Sequence, residues 1–364
     1  MWRARYYTGF IPRCPFRTCV ESYILKKAVS DTEAAFSVMS LLFVHSFSHD
    51  PFRLDNHCNR DMHSETMGFV FTCGELIGEE CRRVLREEIA GAVEQLAHFH
   101  ENPDLAIHET RKHNKRLRAT LQLTRPVLDS GEVGAANRLI RDAARIFSVA
   151  RDALVLQQTL GMLVERFVTE SIPSSMAKLE RALQLRHDEI LNAVDFGDRV
   201  DGASQDFVEA GLLLEQWDWS KMSYEIVFSA VMANYRAGIS EMETARETRD
   251  SEDFHDWRKR AKSLSYQLTL LASLQPDWLE EYALATGELG SFLGEHHDLA
   301  LFEEAIGDGT GFHLNAKETA EIIDLAQTRR SELETLAFER GREIYHATPD
   351  EMHCRLSELV AAKD

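Results

Sequence analysis

Backbone breakers are the first thing this chain has little of: eight prolines and nineteen glycines in 364 residues. With so few interruptions, stretches of Ala, Leu, Glu and Arg are free to run as long helices. Alternation of apolar and polar residues, the mark of a strand, is not sustained outside the N-terminal segment. Long apolar runs are also missing. The best of them, Ala34–Phe47, contains His45 and is too short to cross a bilayer. It lacks the cleavage pattern of a signal peptide, so no membrane association is expected. The six cysteines (Cys14, Cys19, Cys58, Cys73, Cys81 and Cys354) are irregularly spaced, which argues for free thiols in a reducing, cytoplasmic setting. Cys14, Cys19 and His57-Cys58 lack the tight knuckle pairs of a zinc site. No glycine-rich Walker loop is present, so a nucleotide cradle has no support. The reading calls for no cofactor and no metal.

Positive charge is short overall. The formal net charge is −19, which argues against a general nucleic-acid binder. The balance reverses locally, because Pro103 to Leu160 holds ten Lys and Arg against six Asp and Glu. A basic site in an acidic body suits selective capture of a polyanion.

The basic residues fall in a pattern. In Ile107–Arg118, a helix places His108, Arg111, Lys112 and Lys115 within an arc of about 100°. Thr110, Leu117 and Leu121 lie on the other side. Phe254–Tyr266 repeats this with His255, Arg258, Lys259 and Lys262 over Trp257, Leu264 and Leu268. Like charges at these spacings repel, so such a stripe persists by solvation or by binding an anion. Its repetition on one helical phase favours the anion. Arg118 continues the first stripe, and Arg138, Arg141 and Arg145 form another on the next helix. Arginine forks grip phosphate oxygens in pairs, and lysines add mobile point charges. His108 and His255 share the phase of the arginines, so both are expected to face the site. Trp257 reads as core. Asp152 and Asp298 are expected to be buried partners or caps that orient arginines, not catalysts.

The paired His-x-x-Arg-Lys-x-x-Lys stretches resemble those of the CHAD family, the conserved-histidine α-helical domain that binds inorganic polyphosphate. Asn137–Leu156 and Gly290–Phe302, carrying Asp152 and Asp298, resemble a second matching pair of blocks. The resemblance covers about Met67 to His346. It implies an all-α fold of two pseudo-symmetric antiparallel helical-bundle halves, near 79–200 and 217–347, within one domain over 67–364. It also implies a basic cleft or pore lined by the twelve basic and histidine residues named above. The function implied is non-catalytic binding of inorganic polyphosphate, in the cytoplasm and in association with polyphosphate granules. Specific nucleic-acid binding is not expected.

Residues 1–66 match none of this and read as an upstream translation or a poorly ordered extension, with Met67 as the start of the folded chain. Beyond it, helices are expected over Glu79–His100, from Pro103 to about Leu128, and over Ser174–Val194. Further helices are expected over Met222–Arg249, Phe254–Ser273, Trp278–Leu293 and Ala316–His346. Asp129–Gly134 reads as a turn. Phe196–Phe207, with its glycines and aspartates, reads as the connector between halves.

The rival from another class is a metal-dependent phosphohydrolase of His-Asp type, suggested by the dyads at 187–188, 255–256 and 297–298. It needs ligands converging on a metal, and His255-Asp256 sits among arginines and lysines that repel one. Glu343-x-x-His346 stands alone where a carboxylate-bridged di-iron bundle needs two such pairs. The Glu-x-Glu-x-Lys signature of triphosphate-tunnel hydrolases is absent at Glu241 and at Glu332. No intact catalytic motif remains, and an enzyme is not expected.

Overall fold

The computed structural model describes residues 68–361, apart from 128, 129, 170 and 194. The expectation for residues 1–66 lies outside the described residues. Eleven α-helices follow one another with no strand among the described residues. They are α1 (Ile77–Ala97), α2 (Pro103–Thr124), α3 (Ser130–Arg145), α4 (Ser148–Phe167), α5 (Ser174–Leu191) and α6 (Phe196–Glu215). Then come α7 (Tyr224–Thr248), α8 (Ser251–Leu271), α9 (Pro276–Ile306), α10 (Ala316–Ile344) and α11 (Pro349–Ala361). No described helix is long and apolar enough to cross a membrane.

The two basic stripes lie on α2 and α8, and each helix has a well-defined start. Asn102 caps α2, its side chain accepting from the Leu105 amide at 3.2 Å, with Pro103 in the first turn. Asp250 caps α8 through the Glu252 amide at 2.8 Å. Only Arg249 and Asp250 separate α7 from α8, and Arg249 takes φ 56°, a left-handed conformation uncommon outside glycine. The Arg249 guanidinium lies 4.9 Å from the Phe338 ring centre and 2.7 Å from Glu334, contacts that hold the turn. The apolar backs behave as the phase predicts: Leu117, Leu121, Trp257, Leu264 and Leu268 are all buried.

Packing brings the two stripes to the middle. Helix α2 lies against α1 and α3, α8 lies against α7 and α9, and α2 and α8 pack on each other. Helix α4 reaches the same centre by packing on α9 and α2. One core cluster joins α4, α5, α9 and α10 through Leu163, Leu179, Leu299, Phe302 and Leu333. A second, around Phe254, Trp257, Leu289, Leu293 and Phe338, backs α8.

Two expectations fail here. Residues 130–134 are not a turn, since α3 starts at Ser130. Phe196–Phe207 is not a connector, because it opens the 20-residue helix α6. There, Phe196, Val200, Ala203, Phe207, Ala210 and Leu214 recur at three and four residues and are buried, while most of the aspartates between them face water. This amphipathic period outweighs the turn-forming tendency of Asp and Gly.

Candidate functional site

The two copies of the motif meet. Arg111 and Lys115 of α2 and Arg258 and Lys262 of α8 lie within reach of one another's charge. They are joined by Arg151 of α4. Burial comes first and the Arg151 guanidinium second in pushing Arg111 down to about 10, with Arg258 adding to the effect. Asp152 and Asp298 act in the opposite direction. Lys115 is pushed down to about 7, again by burial first and then by Arg258, Arg111, Lys262 and Arg151. Yet Lys115 keeps exposed surface. A side chain surrounded by protein and still open to water sits in a concavity, so the basic residues line a recess.

The recess is poor in counterions. Among the described residues, none accepts a hydrogen bond from the side chain of Arg111, Lys115 or Arg258, and none forms an ion pair with them. The Arg258 Nε is buried without any hydrogen-bond partner. Arg151 uses both carboxylates, donating to Asp152 at 3.0 Å and to Asp298 at 2.9 Å. Asp298 therefore orients an arginine, although its side chain is only partly buried. Asp152 orients Arg151 too, but its side chain is about half exposed and not buried.

Glycines on α9 make room for the α8 cations. A Cβ at Gly290 would lie 2.8 Å from Cδ of Lys262, and one at Gly294 would lie 3.3 Å from Nε of Arg258. The Lys262 ammonium crosses α9 there, 3.4 Å from the Ser291 hydroxyl and 3.5 Å from the Gly287 carbonyl.

Other expected site residues are placed differently. Lys112 pairs with Glu109 at 3.1 Å and Lys259 with Asp256 at 2.6 Å, so one acid in each copy neutralises the second base. His108 is largely exposed, with Glu109 at 3.9 Å. His255 is partly buried and stacks on His297, ring centres 4.0 Å apart. Burial, then Lys259 and Arg258, lower the pKa of His255. Burial, then His255, Arg258 and Arg151, push His297 down to about 3. Arg118 forms a second basic group with Arg141 and Arg125, and burial followed by these two lowers its pKa. Arg138, Arg141 and Arg145 are exposed on α3, where Arg141 pairs with Asp142 at 2.9 Å.

Arg151 escaped the sequence reading although it directly precedes Asp152. Its position corresponds to His297 before Asp298, so no repeated basic residue marked it. The three His-Asp dyads do not form one cluster: the histidines of two of them stack, His255 on His297, but their acids turn to other partners and the third dyad lies on α5. His187 meets Asp104 at 2.9 Å, Asp256 meets Lys259, and Asp298 meets Arg151. Among the described residues, no three His, Cys, Asp or Glu side chains form a group able to hold a metal ion.

The sequence model described as "CHAD domain" matches residues 78–307. The search of curated proteins found no match. Among solved structures, the crystal structure of the CHAD domain from the plant Ricinus communis is similar at 17% identity, with a TM-score of 0.51. The match covers 83% of this chain and 98% of the plant chain. At that identity the likeness carries the fold and nothing finer.

Proposed function

This chain belongs to the CHAD domain family, and from that premise we propose that it binds inorganic polyphosphate in the recess between α2, α4, α8 and α9, without chemistry of its own. The observation that carries the reading is the set of cations with no hydrogen-bonded counterion among the described residues: Arg111, Lys115 and Arg258. Burying a charge is costly unless a partner compensates it, and here the described residues supply none directly. An anion from outside does so. A flexible chain with about one charge per phosphate threads among guanidinium and ammonium groups where a rigid duplex about 20 Å wide does not enter. Arg118, Arg138, Arg141 and Arg145 extend the positive field along α2 and α3. The working place is the cytoplasm, on or near polyphosphate granules, with no specific nucleic-acid partner.

The alternative, a metal-dependent phosphohydrolase, is less favoured, because where His255 and His297 meet, Asp256 and Asp298 are engaged by Lys259 and Arg151. The test is equilibrium binding of long-chain polyphosphate and of duplex DNA at matched charge, with chain length measured afterwards. Tight binding of polyphosphate alone, chain length unchanged, is expected. Release of phosphate that depends on a divalent metal overturns the reading in favour of the hydrolase.

A further inference from the structure

We infer that Asp298 is a built-in competitor of the ligand: its carboxylate holds the Arg151 guanidinium in the empty recess, and a phosphate chain displaces it on binding. This rests on the function proposed above and adds to it a residue that limits affinity and hastens release.

Contacts place Asp298 at the end of a row of cations. Positions 290, 294 and 298 of α9 follow one another at four-residue spacing on one face of the helix. At the first, a Cβ on Gly290 would lie 2.8 Å from Cδ of Lys262. At the second, a Cβ on Gly294 would lie 3.3 Å from Nε of Arg258. At the third, Arg151 reaches over from α4 and donates to Asp298 at 2.9 Å. His255 and His297 stack beside the same stretch, ring centres 4.0 Å apart. Helix α9 thus offers the first two cations a bare surface and the third a carboxylate.

A break in the internal repeat explains the arrangement. In the first half Arg151 precedes Asp152 and donates to it at 3.0 Å. In the second half the matching residues are His297 and Asp298. Asp298 therefore has no arginine beside it in sequence, and it turns across to the arginine of the first half. One guanidinium serves two carboxylates.

The pair is built to exchange. The Arg151 and Asp298 side chains keep 19% and 25% exposure, so oxygens arriving from solvent can reach them. A guanidinium binds carboxylate and phosphate through the same paired N–H groups, so one acceptor replaces the other without loss of a bond. The surrounding charge then decides. Arg111 and Arg258 have no hydrogen-bonded acid among the described residues, and a phosphate chain engages them together with Arg151. Asp298 brings a single charge. Once displaced, it stands as a like charge beside the phosphates and opposes their binding. Helices α4 and α9 keep an apolar contact of their own through Leu163, Leu299 and Phe302, so removing the ion pair leaves the fold in place.

The experiment measures the affinity and dissociation rate of long-chain polyphosphate on the full chain at several salt concentrations. Asp298→Asn keeps the shape of the side chain and removes its charge. It is expected to bind on the order of tenfold more tightly, mainly through slower dissociation. Its log–log salt slope is expected to steepen by up to about 0.7, the share of one further phosphate on a flexible strand. Asp298→Ser is expected to move both quantities in the same direction. In an Arg151→Gln background the gain from Asp298→Asn is expected to shrink, because no guanidinium is left to release. Weaker or unchanged binding by both Asp298 variants, with melting temperature retained, overturns the inference and leaves the polyphosphate reading standing. An equal gain with and without Arg151 overturns the competition for that arginine. No binding by the wild type overturns both.

Discussion

Helices α2 and α8 carry the same motif and do not put it in the same surroundings. The shared part is instructive: Glu109 answers Lys112 and Asp256 answers Lys259, each acid directly following the histidine and each three residues before its lysine. In both copies this leaves the arginine and the last lysine for the recess. The histidines differ. His108 is largely exposed, whereas His255 is packed on His297. The arginines differ in degree, since the Arg258 Nε is buried without a partner beside the glycine surface of α9. A repeated sequence thus supplies two similar sets of charges, and the neighbouring helix decides how dry each set becomes. Helix α9 runs unbroken past α8, while α3 and α4 divide the corresponding stretch beside α2.

The strongest way to break the comparison is to reverse both arginines. Arg111→Glu with Arg258→Glu is expected to abolish polyphosphate binding, by at least about a hundredfold, while circular dichroism shows unchanged helix content. Retained affinity in that double variant moves the site elsewhere. Taken singly, Arg258→Ala is expected to cost more than Arg111→Ala, because the drier guanidinium gains more from a phosphate. A loss on the order of 2–3 kcal/mol against 1–2 kcal/mol is expected in a binding titration. Equal losses would show that the recess is evenly wet.

A subtler change tests the glycine surface. Gly290→Ala is expected to displace the Lys262 stem, which an added Cβ would meet at 2.8 Å, and to weaken binding several-fold with little change in melting temperature. An unaltered affinity would mean that Lys262 reaches the ligand by another route. Smaller still is the effect of Lys115→Met on the empty protein. Lys115 has a folded pKa below its unfolded value. Its charge therefore opposes folding below about pH 7, and the penalty disappears as pH rises toward the ordinary lysine pKa. The variant is expected to melt above the wild type at pH 6, with the gap closing by pH 10. Thermal scans across that range check it, and a gap that widens with pH contradicts it.

The helical phase of each motif was enough to separate Trp257 and Leu117 from Arg258 and Arg111, because a buried back and a charged front are periodic properties. Glu109 and Asp256 were visible at the right spacing, yet a count of basic residues on one face hides the acids that silence two of them. Arg151 was illegible because its importance comes from the packing of α4 on α9, a contact between distant segments with no periodic signature. Helix α6 was hidden by Asp198, Asp201 and Asp206, whose turn propensity masked the apolar residues between them. Where packing across the fold decides, local pattern is silent.

The central claim is that several cations converge on one flexible polyanion, and the salt dependence of polyphosphate affinity tests it most directly. With Arg111, Lys115, Arg151, Arg258 and Lys262 engaged, and single-stranded nucleic acid as the guide, affinity is expected to fall linearly in log–log form. The loss is on the order of a hundredfold between 50 and 200 mM salt. An affinity that holds steady across that range would contradict the account, since it would mean that the recess does not bind its ligand by displacing counterions.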